Sequence, residues 1–195
     1  MTAQIILASA SPRRKALLAQ INITPIIYPV DLDETPLPHE KPLAYVQRLA
    51  AEKSALCLAS SAAILKANLP ILAADTAVVL DNNIMGKPKN QDEGIVMLSR
   101  LSGRTHHVYT AISFRGKQHW QAVSMTEVTF RTITEPEIIA YWHTGEPLDK
   151  AGGYAIQGLG GVFVESIKGS YSGVMGLPLF ETAELLAKQG IDLLI

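Results

Sequence analysis

Ile5-Ile6-Leu7-Ala8-Ser9-Ala10-Ser11-Pro12-Arg13-Arg14 is the stretch from which the rest of the chain can be read. Ile5 to Ala8 is a short continuous apolar run, the pattern of a fully buried strand. Ser11 suits a helix N-cap, and Pro12 suits the first helical position. The stretch therefore reads as strand, turn and helix, with Ser9, Ser11, Arg13 and Arg14 at the helix N-terminus. Backbone N–H groups, hydroxyls and guanidinium groups at one point bind anions, most naturally phosphate. A capped surface helix with two solvated arginines fits the same residues, so both readings stand here.

The remaining 185 of 195 residues narrow the choice. This length suits one α/β domain with a sizeable core or two small lobes. Hydrophobic residues make up 48%, as expected of a globular protein and not of a disordered one. Seventeen basic and 18 acidic residues leave a net charge of -1, so no global field draws the chain to nucleic acid or an anionic membrane. Phosphate chemistry must then come from local clusters. Cys57 is the only cysteine, which excludes an internal disulfide and a cysteine metal cage. No apolar run reaches the roughly 18 residues of a membrane span, and the N-terminus lacks a signal-peptide pattern. The expectation is a cytoplasmic protein.

Outward from the opening, Pro12 to Gln20 reads as a helix and Thr24 to Val30 as a strand, with Pro25 and Pro29 pushing it to a sheet edge. Asp31 to Pro42 is a loop by composition. Its carboxylates Asp31, Asp33 and Glu34 can hold a hard divalent cation, although such clusters are also common in solvated loops. Leu43 to Ala67 reads as a long helix, with Leu43, Val46, Leu49, Ala50, Lys53 and Cys57 on one face. Lys53 is a cation on an apolar stripe. It either snorkels outward or reaches a buried anion.

Pro70 to Leu80 is the strongest strand pattern, and Asp75 stands in its middle. A carboxylate there is costly to bury unless it pairs, binds metal or acts in catalysis. Gly86-Lys87-Pro88 presents one lysine on a rigid loop. Asn90 to Leu101 reads as a helix, Val108 to Phe114 and Gln118 to Ile133 as two antiparallel strands, and Thr134 to His143 as a helix opened by a capping box. Val128, Phe130 and Thr132 share one face of the second strand by alternation. His106 and His107, being adjacent, point to opposite faces, which is poor geometry for one metal.

Asp149 to Gly161 holds five glycines together with Lys150, Tyr154 and Gln157, polar groups able to read a base or hold a phosphate. It lacks the Gly-Lys-Ser/Thr ending of a P-loop. Val162 to Ile167 reads as a strand, Gly169 to Gly173 as a loop and Leu179 to Gln189 as the last helix.

Positive charge is thus offered by Arg13, Arg14, Lys53 and Lys87. Asp75 and Glu34, with Asp149 possible, offer oxygen ligands or a base. Thr76 and Gln157 offer neutral hydrogen-bonding groups. Hydrolysis of a nucleoside triphosphate needs this combination: cations and a carboxylate-bound metal neutralise phosphate charge, and a carboxylate deprotonates water.

The chain resembles the Maf family of nucleotide pyrophosphatases, also described as septum-formation inhibitors, over nearly its whole length. The resemblance rests on Ser9-Ala10-Ser11-Pro12-Arg13-Arg14, Ala74-Asp75-Thr76, Gly86-Lys87-Pro88, Leu101-Ser102-Gly103 with Thr105-His106, Asp149-Lys150-Ala151-Gly152, Ile156-Gln157-Gly158 and Gly176-Leu177-Pro178-Leu179. It implies an α/β fold: a mixed twisted sheet with flanking helices and a central cleft, similar to that of the inosine-triphosphate pyrophosphatases. Residues 1–195 are then one domain of two lobes around the cleft. It also implies hydrolysis of a nucleoside triphosphate to monophosphate and pyrophosphate with a divalent metal, Mg²⁺ or Mn²⁺. Asp75 would be the catalytic base, and Glu34 with Asp75 would hold the metal. Ser9, Arg14, Lys53 and Lys87 would hold the triphosphate. A homodimer is expected by family similarity alone. Ala73 departs from the family, which often has glycine there.

Base preference divides the family. Arg13, Thr76 and Gln157 look like the branch acting on dTTP and UTP. A glutamine can both donate and accept, which suits the imide edge of uracil or thymine. The branch acting on 7-methylguanosine triphosphate has an aromatic residue at the first position and a glutamate near the third. A purine-selective enzyme and a non-catalytic nucleotide-binding regulator of cell division are the alternatives. Gln157 counts against the first, and Asp75 with its cations counts against the second.

Overall fold

The computed structural model of the chain describes residues 4–60 and 68–194. In chain order the elements are β1 (Ile5–Leu7), α1 (Pro12–Gln20), β2 (Pro25–Ile27), α2 (Pro42–Ala59), β3 (Ile71–Leu80), β4 (Asn83–Met85) and α3 (Gln91–Leu101). They continue with β5 (Thr105–Arg115), β6 (His119–Phe130), α4 (Glu135–His143), β7 (Val164–Lys168), α5 (Tyr171–Met175) and α6 (Leu179–Lys188), with 3-10 turns at Ala151–Gly153 and Leu159–Phe163. The strands described form one seven-stranded mixed sheet in the order β2-β1-β3-β5-β6-β7, with β4 also paired to β3. β1 runs parallel to β2 and β3, and the other pairings are antiparallel. The α/β class and the mixed sheet expected above are therefore present.

β3 organises this sheet. β5 lines one of its edges without a break from Ile71 to Val79. On the other edge β1 reaches only Ile71 and Leu72, and β4 begins at Val78. Ala73 to Ala77 on that edge has no strand partner among the described residues, and there the cleft opens.

Strand alternation divides the core along β3. Its odd-numbered residues face α2: Ala77 and Val79 pack with Val46, Leu49 and Ala50, while Ile71 and Ala73 pack with Ile6, Ala8 and Cys57. Its even-numbered residues serve two cores. Leu72 and Ala74 join Leu17, Leu18, Leu185 and Leu186, whereas Val78 and Leu80 join Leu98, Leu101, Phe130 and Tyr141. Each fully buried Val or Leu in these clusters contributes roughly 1.5–3 kcal/mol relative to exposure. Thr76 is the residue between the two even-face cores, and it lines the cleft.

Local signals behave as their chemistry dictates. Ser11 Oγ caps α1 by accepting from Arg14 N at 3.4 Å, and Asn90 caps α3 through Glu93 N at 2.9 Å. Thr134 and Glu137 form the capping box of α4. β2 lies at the sheet edge as its prolines required, and this leaves Ile26 and Ile27 partly exposed.

Several expectations need correction. The helix expected over Leu43–Ala67 starts at Pro42 and is described to Ala59; residues 61–67 of that expectation lie outside the described residues. Leu43 falls off its buried stripe into solvent. The short β4 was not anticipated; it forms because the Asp81-Asn82 turn, with φ of 51° and 61°, returns the chain onto β3. β6 ends at Phe130, so Thr132 is not on the Val128–Phe130 face. The strand expected from Val162 starts at Val164, after a 3-10 turn. The loop expected over Gly169–Gly173 contains the start of α5, whose N-cap Ser170 accepts from Gly173 N at 3.0 Å.

Candidate active site

Ser9, Arg13, Arg14, Glu34, Lys53, Asp75, Thr76, Lys87 and Gln157 all line one cleft of about 660 Å³. They come from six separate parts of the chain.

At the cleft floor, Asp75 is 6% exposed and Lys53 8%. Asp75 is an odd residue of β3 and so faces α2, where the apolar stripe sets Lys53 against it. Lys53 Nζ lies 2.7 Å from Asp75 Oδ1 and 2.5 Å from Glu34 Oε1. Burial lifts the Asp75 carboxyl above its ordinary range, with Lys53 and Arg14 pulling it down and Glu34 adding to the rise. Burial acts on Glu34 in the same sense, but the hydrogen bond and charge of Lys53, with Lys87 and Arg14 beyond, hold it below its usual range.

The loop carrying Glu34 is bound to α2. Tyr45 Oη donates to the Glu34 carbonyl at 2.9 Å, and Arg48 pairs with Glu40 while donating to the Thr35 carbonyl. Asp33 turns away instead. Its Oδ1 accepts from the backbone and hydroxyl of Thr35 at 2.9 and 2.6 Å. Of the acidic run Asp31, Asp33 and Glu34, only Glu34 lines the cleft, so the run does not act as a three-carboxylate cage.

Among the described residues, no three His, Cys, Asp or Glu side chains converge as a metal site. Glu34 and Asp75 nevertheless meet at a single ammonium, a position that selects positive charge. Two oxygen ligands suit a hard divalent cation that draws its remaining ligands from phosphate and water. The donor set therefore fits a hard divalent cation that shares its ligands with substrate and does not fit a protein-only cage.

Above the floor, Arg14 ties three segments together. Its Nε donates to the Gly176 carbonyl at 2.8 Å, Nη1 to Ser9 Oγ at 3.1 Å and Nη2 to Thr76 Oγ1 at 3.4 Å. These bonds engage three of the five N–H groups a guanidinium carries. Burial lowers the Arg14 pKa, against the pull of Asp75. Ser9 Oγ also accepts from Ser11 N at 3.2 Å, so its own proton remains available to a phosphate oxygen. Thr76 Oγ1 lies 3.0 Å from Thr110 Oγ1, which donates onward to the Gly173 carbonyl at 2.7 Å. Gly176 has φ of 111°, and a Cβ there would lie 3.4 Å from Thr76 Oγ1, an ordinary contact. A side chain at this point would be strained by the left-handed backbone and not by its neighbours.

The family model described as Maf-like protein matches residues 4–189. The chain belongs to the Maf-like protein family. Among relatives of this Maf-like protein, one from Saccharophagus degradans, named dTTP/UTP pyrophosphatase, is 50% identical over 95% of this chain and 88% of its own. Another so named, from Pseudoalteromonas translucida, is 50% identical over 95% of this chain and 97% of its own. One from Haemophilus ducreyi, named nucleoside triphosphate pyrophosphatase, is 45% identical over 100% of this chain and 99% of its own. A crystal structure titled nucleoside-triphosphatase / dITP/XTP pyrophosphatase, from Mycobacterium abscessus, aligns at 16% identity over 66% of this chain and 74% of its own. Its TM-score of 0.40 is too low to bear on the reading.

The Maf-like cleft is also lined by Arg13, Lys87 and Lys150, the first two close enough to repel the third. Burial lowers the Lys150 pKa, and repulsion from Arg13 and Lys87 adds to this. The sequence offered Lys150 as a group for base or phosphate, and it does line the cleft, but nothing in the sequence marked the Gly176 carbonyl as the partner of Arg14. A motif shows which residues are present; it does not show which ones meet. Tyr154, read above as a polar group for base or phosphate, lines the cleft, but its hydroxyl is engaged in the core. It is buried among Phe130 and Phe163, with its Oη 2.8 Å from His106 Nε2. His106 is buried and His107 exposed, in keeping with their opposite faces on β5.

Proposed function

We propose that the cleft hydrolyses nucleoside triphosphates to the monophosphate and pyrophosphate, with dTTP and UTP preferred. The observation that carries this reading is the convergence of Glu34, Lys53 and Asp75 on one point of a cleft also lined by Arg13, Arg14, Lys87 and Lys150. The names of the relatives support the pyrimidine preference.

The triphosphate lies along Ser9, Arg14, Lys53 and Lys87, which neutralise its charge and orient it. Asp75 Oδ1 is taken by Lys53, so Oδ2 is the atom that accepts the proton of the attacking water. The water oxygen bonds to the α-phosphorus as the bond to the α–β bridging oxygen breaks, and pyrophosphate leaves with that electron pair. Burial raises the proton affinity of Asp75, which makes it a stronger base than a solvated aspartate. Glu34 and Asp75 would hold a divalent cation, which would further neutralise charge developing on the phosphate oxygens. Arg13, Thr76 and Gln157 receive the base. The chain works as one two-lobed domain in the cytoplasm on free nucleotides; its net charge of -1 supports small anions, gathered locally, over polyanions.

Incubation with a nucleotide panel and Mg²⁺ or Mn²⁺ tests this. Pyrophosphate from dTTP and UTP should dominate. Orthophosphate as the product, or equal cleavage of all triphosphates, would overturn the reading.

A further inference from the structure

The cleft wall that carries Gln157 is a loop with a closed neck. Glu146 and Gly160 are 14 residues apart, yet Glu146 Oε1 accepts from Gly160 N at 2.9 Å. Glu146 Oε2 accepts from Leu159 N at 3.0 Å. Tyr141, on α4, donates to Glu146 Oε1 at 2.8 Å and accepts from Ala155 N at 3.1 Å. Gln157 therefore sits midway between two tethered amides, those of Ala155 and Leu159. A Cβ on Gly158 would lie 2.5 Å from Glu146 Oε2, so the chain passes too close to the carboxylate for a side chain there. Between the two ends of the neck the loop contributes Asp149, Lys150 and Gln157 to the cleft.

A carboxylate that accepts three hydrogen bonds forms a strong, charge-assisted knot. Tyr141 anchors this knot to α4, because its ring is buried against Phe163 with centroids 5.1 Å apart. A loop restrained before the nucleotide arrives spares the ordering of several backbone residues on binding. Gln157 is exposed and reaches the cleft from this loop alone. Ser9, Arg14 and Lys53, the residues proposed to face the phosphates, come from the β1–α1 turn, α1 and α2, and their hydrogen bonds do not involve the knot.

We propose that Glu146, assisted by Tyr141, is a positioning residue for base selection: it closes the neck of the loop and so holds Gln157 against the base. The substrate in this inference rests on the function proposed above; the clamp itself rests on the hydrogen bonds.

Wild type, Glu146→Gln and Tyr141→Phe are compared in two measurements. Amide hydrogen exchange over residues 155–160, without nucleotide, should be roughly tenfold faster or more in both variants. In kinetics, KM for dTTP should rise roughly tenfold and the dTTP-over-dGTP ratio of kcat/KM should fall with it. Inhibition by inorganic tripolyphosphate, which has no base, and kcat should stay within about twofold. A merely structural role would weaken tripolyphosphate and dTTP alike, and that outcome overturns the proposal. Unchanged exchange overturns it, as does a loosened loop with an unchanged base ratio. If wild type prefers a purine, the pyrimidine reading falls, while exchange and the ratio for the preferred base still decide the clamp. If Glu146→Gln does not fold, Tyr141→Phe, which removes one hydroxyl, decides both measurements.

Discussion

Lys53 Nζ lies 2.7 Å from Asp75 Oδ1, and both residues are more than nine-tenths buried. The aspartate occupies the middle of a largely apolar strand, and the lysine a largely apolar helix face. Each is tolerable because of the other. A buried pair of this kind is weak evidence for stability, since desolvation offsets most of the attraction. Its persistence at a cleft floor is better explained by chemistry.

Asp75→Asn keeps the size of the side chain and removes the base. Pyrophosphate release from dTTP should fall by about 10²–10⁴-fold, the usual worth of a positioned general base. A variant that retains a tenth of wild-type kcat would remove Asp75 from the mechanism.

Lys53→Met tests the pair from the other side. With the ammonium gone, burial and Glu34 raise the Asp75 pKa against the pull of Arg14 alone. The base must be ionised to act, so the acidic limb of kcat/KM should move to higher pH than in wild type. Stability at neutral pH should fall by about 3–5 kcal/mol, because two carboxylates lose their shared counter-ion. A pH profile and chemical denaturation measure the two effects; an acidic limb that stays in place would refute the coupling.

The two neighbouring arginines should separate in function. Arg13→Trp should change the ratio of kcat/KM between dTTP and purine triphosphates while shifting stability by no more than roughly 0.5 kcal/mol. Arg14→Ala should weaken every triphosphate alike. It should also cost about 1–3 kcal/mol of stability, since Ser9, Thr76 and the Gly176 carbonyl lose their donor. A nucleotide panel with a denaturation curve for each variant is sufficient. Equal effects of the two substitutions on base preference would cancel the division of labour.

His106 provides a test of the core away from the cleft. Burial, with a smaller push from His107, lowers its pKa from 6.5 to about 4. The folded value lies below the unfolded one. The stabilisation is therefore complete above pH 6.5 and is lost as pH falls toward 4, amounting to about 3 kcal/mol. His106→Gln should flatten the stability curve over that window. A curve as steep as that of wild type would place the acid sensitivity elsewhere.

Much of the fold was legible in order along the chain. Pro12, Ser11, Asn90 and the Thr134–Glu137 pair mark helix starts because capping is a contact across three residues. The errors follow from the same locality. Asn83–Met85 is too short to show a period, and it becomes a strand only because β3 offers Val78 to Leu80 as partners. Tyr154 does line the cleft, but its hydroxyl, which looked available from its neighbours in sequence, is held by His106.

The sequence by itself determined which side chains were available for chemistry. An aspartate within an apolar strand, a lysine on an apolar helix face and arginines at a capped helix start are recognisable because each violates the pattern around it. Only the tertiary structure decided which of them meet. Asp75 faces Lys53 because strand parity turns it toward α2, and Thr76, one residue on, therefore faces Arg14. Glu34 is chosen over Asp33 because Thr35 captures Asp33 and Tyr45 anchors the Glu34 backbone. The tie from Glu146 to Gly160 spans residues between which no local rule operates. Periodicity and capping act over a few residues, whereas register and packing sum over the whole chain.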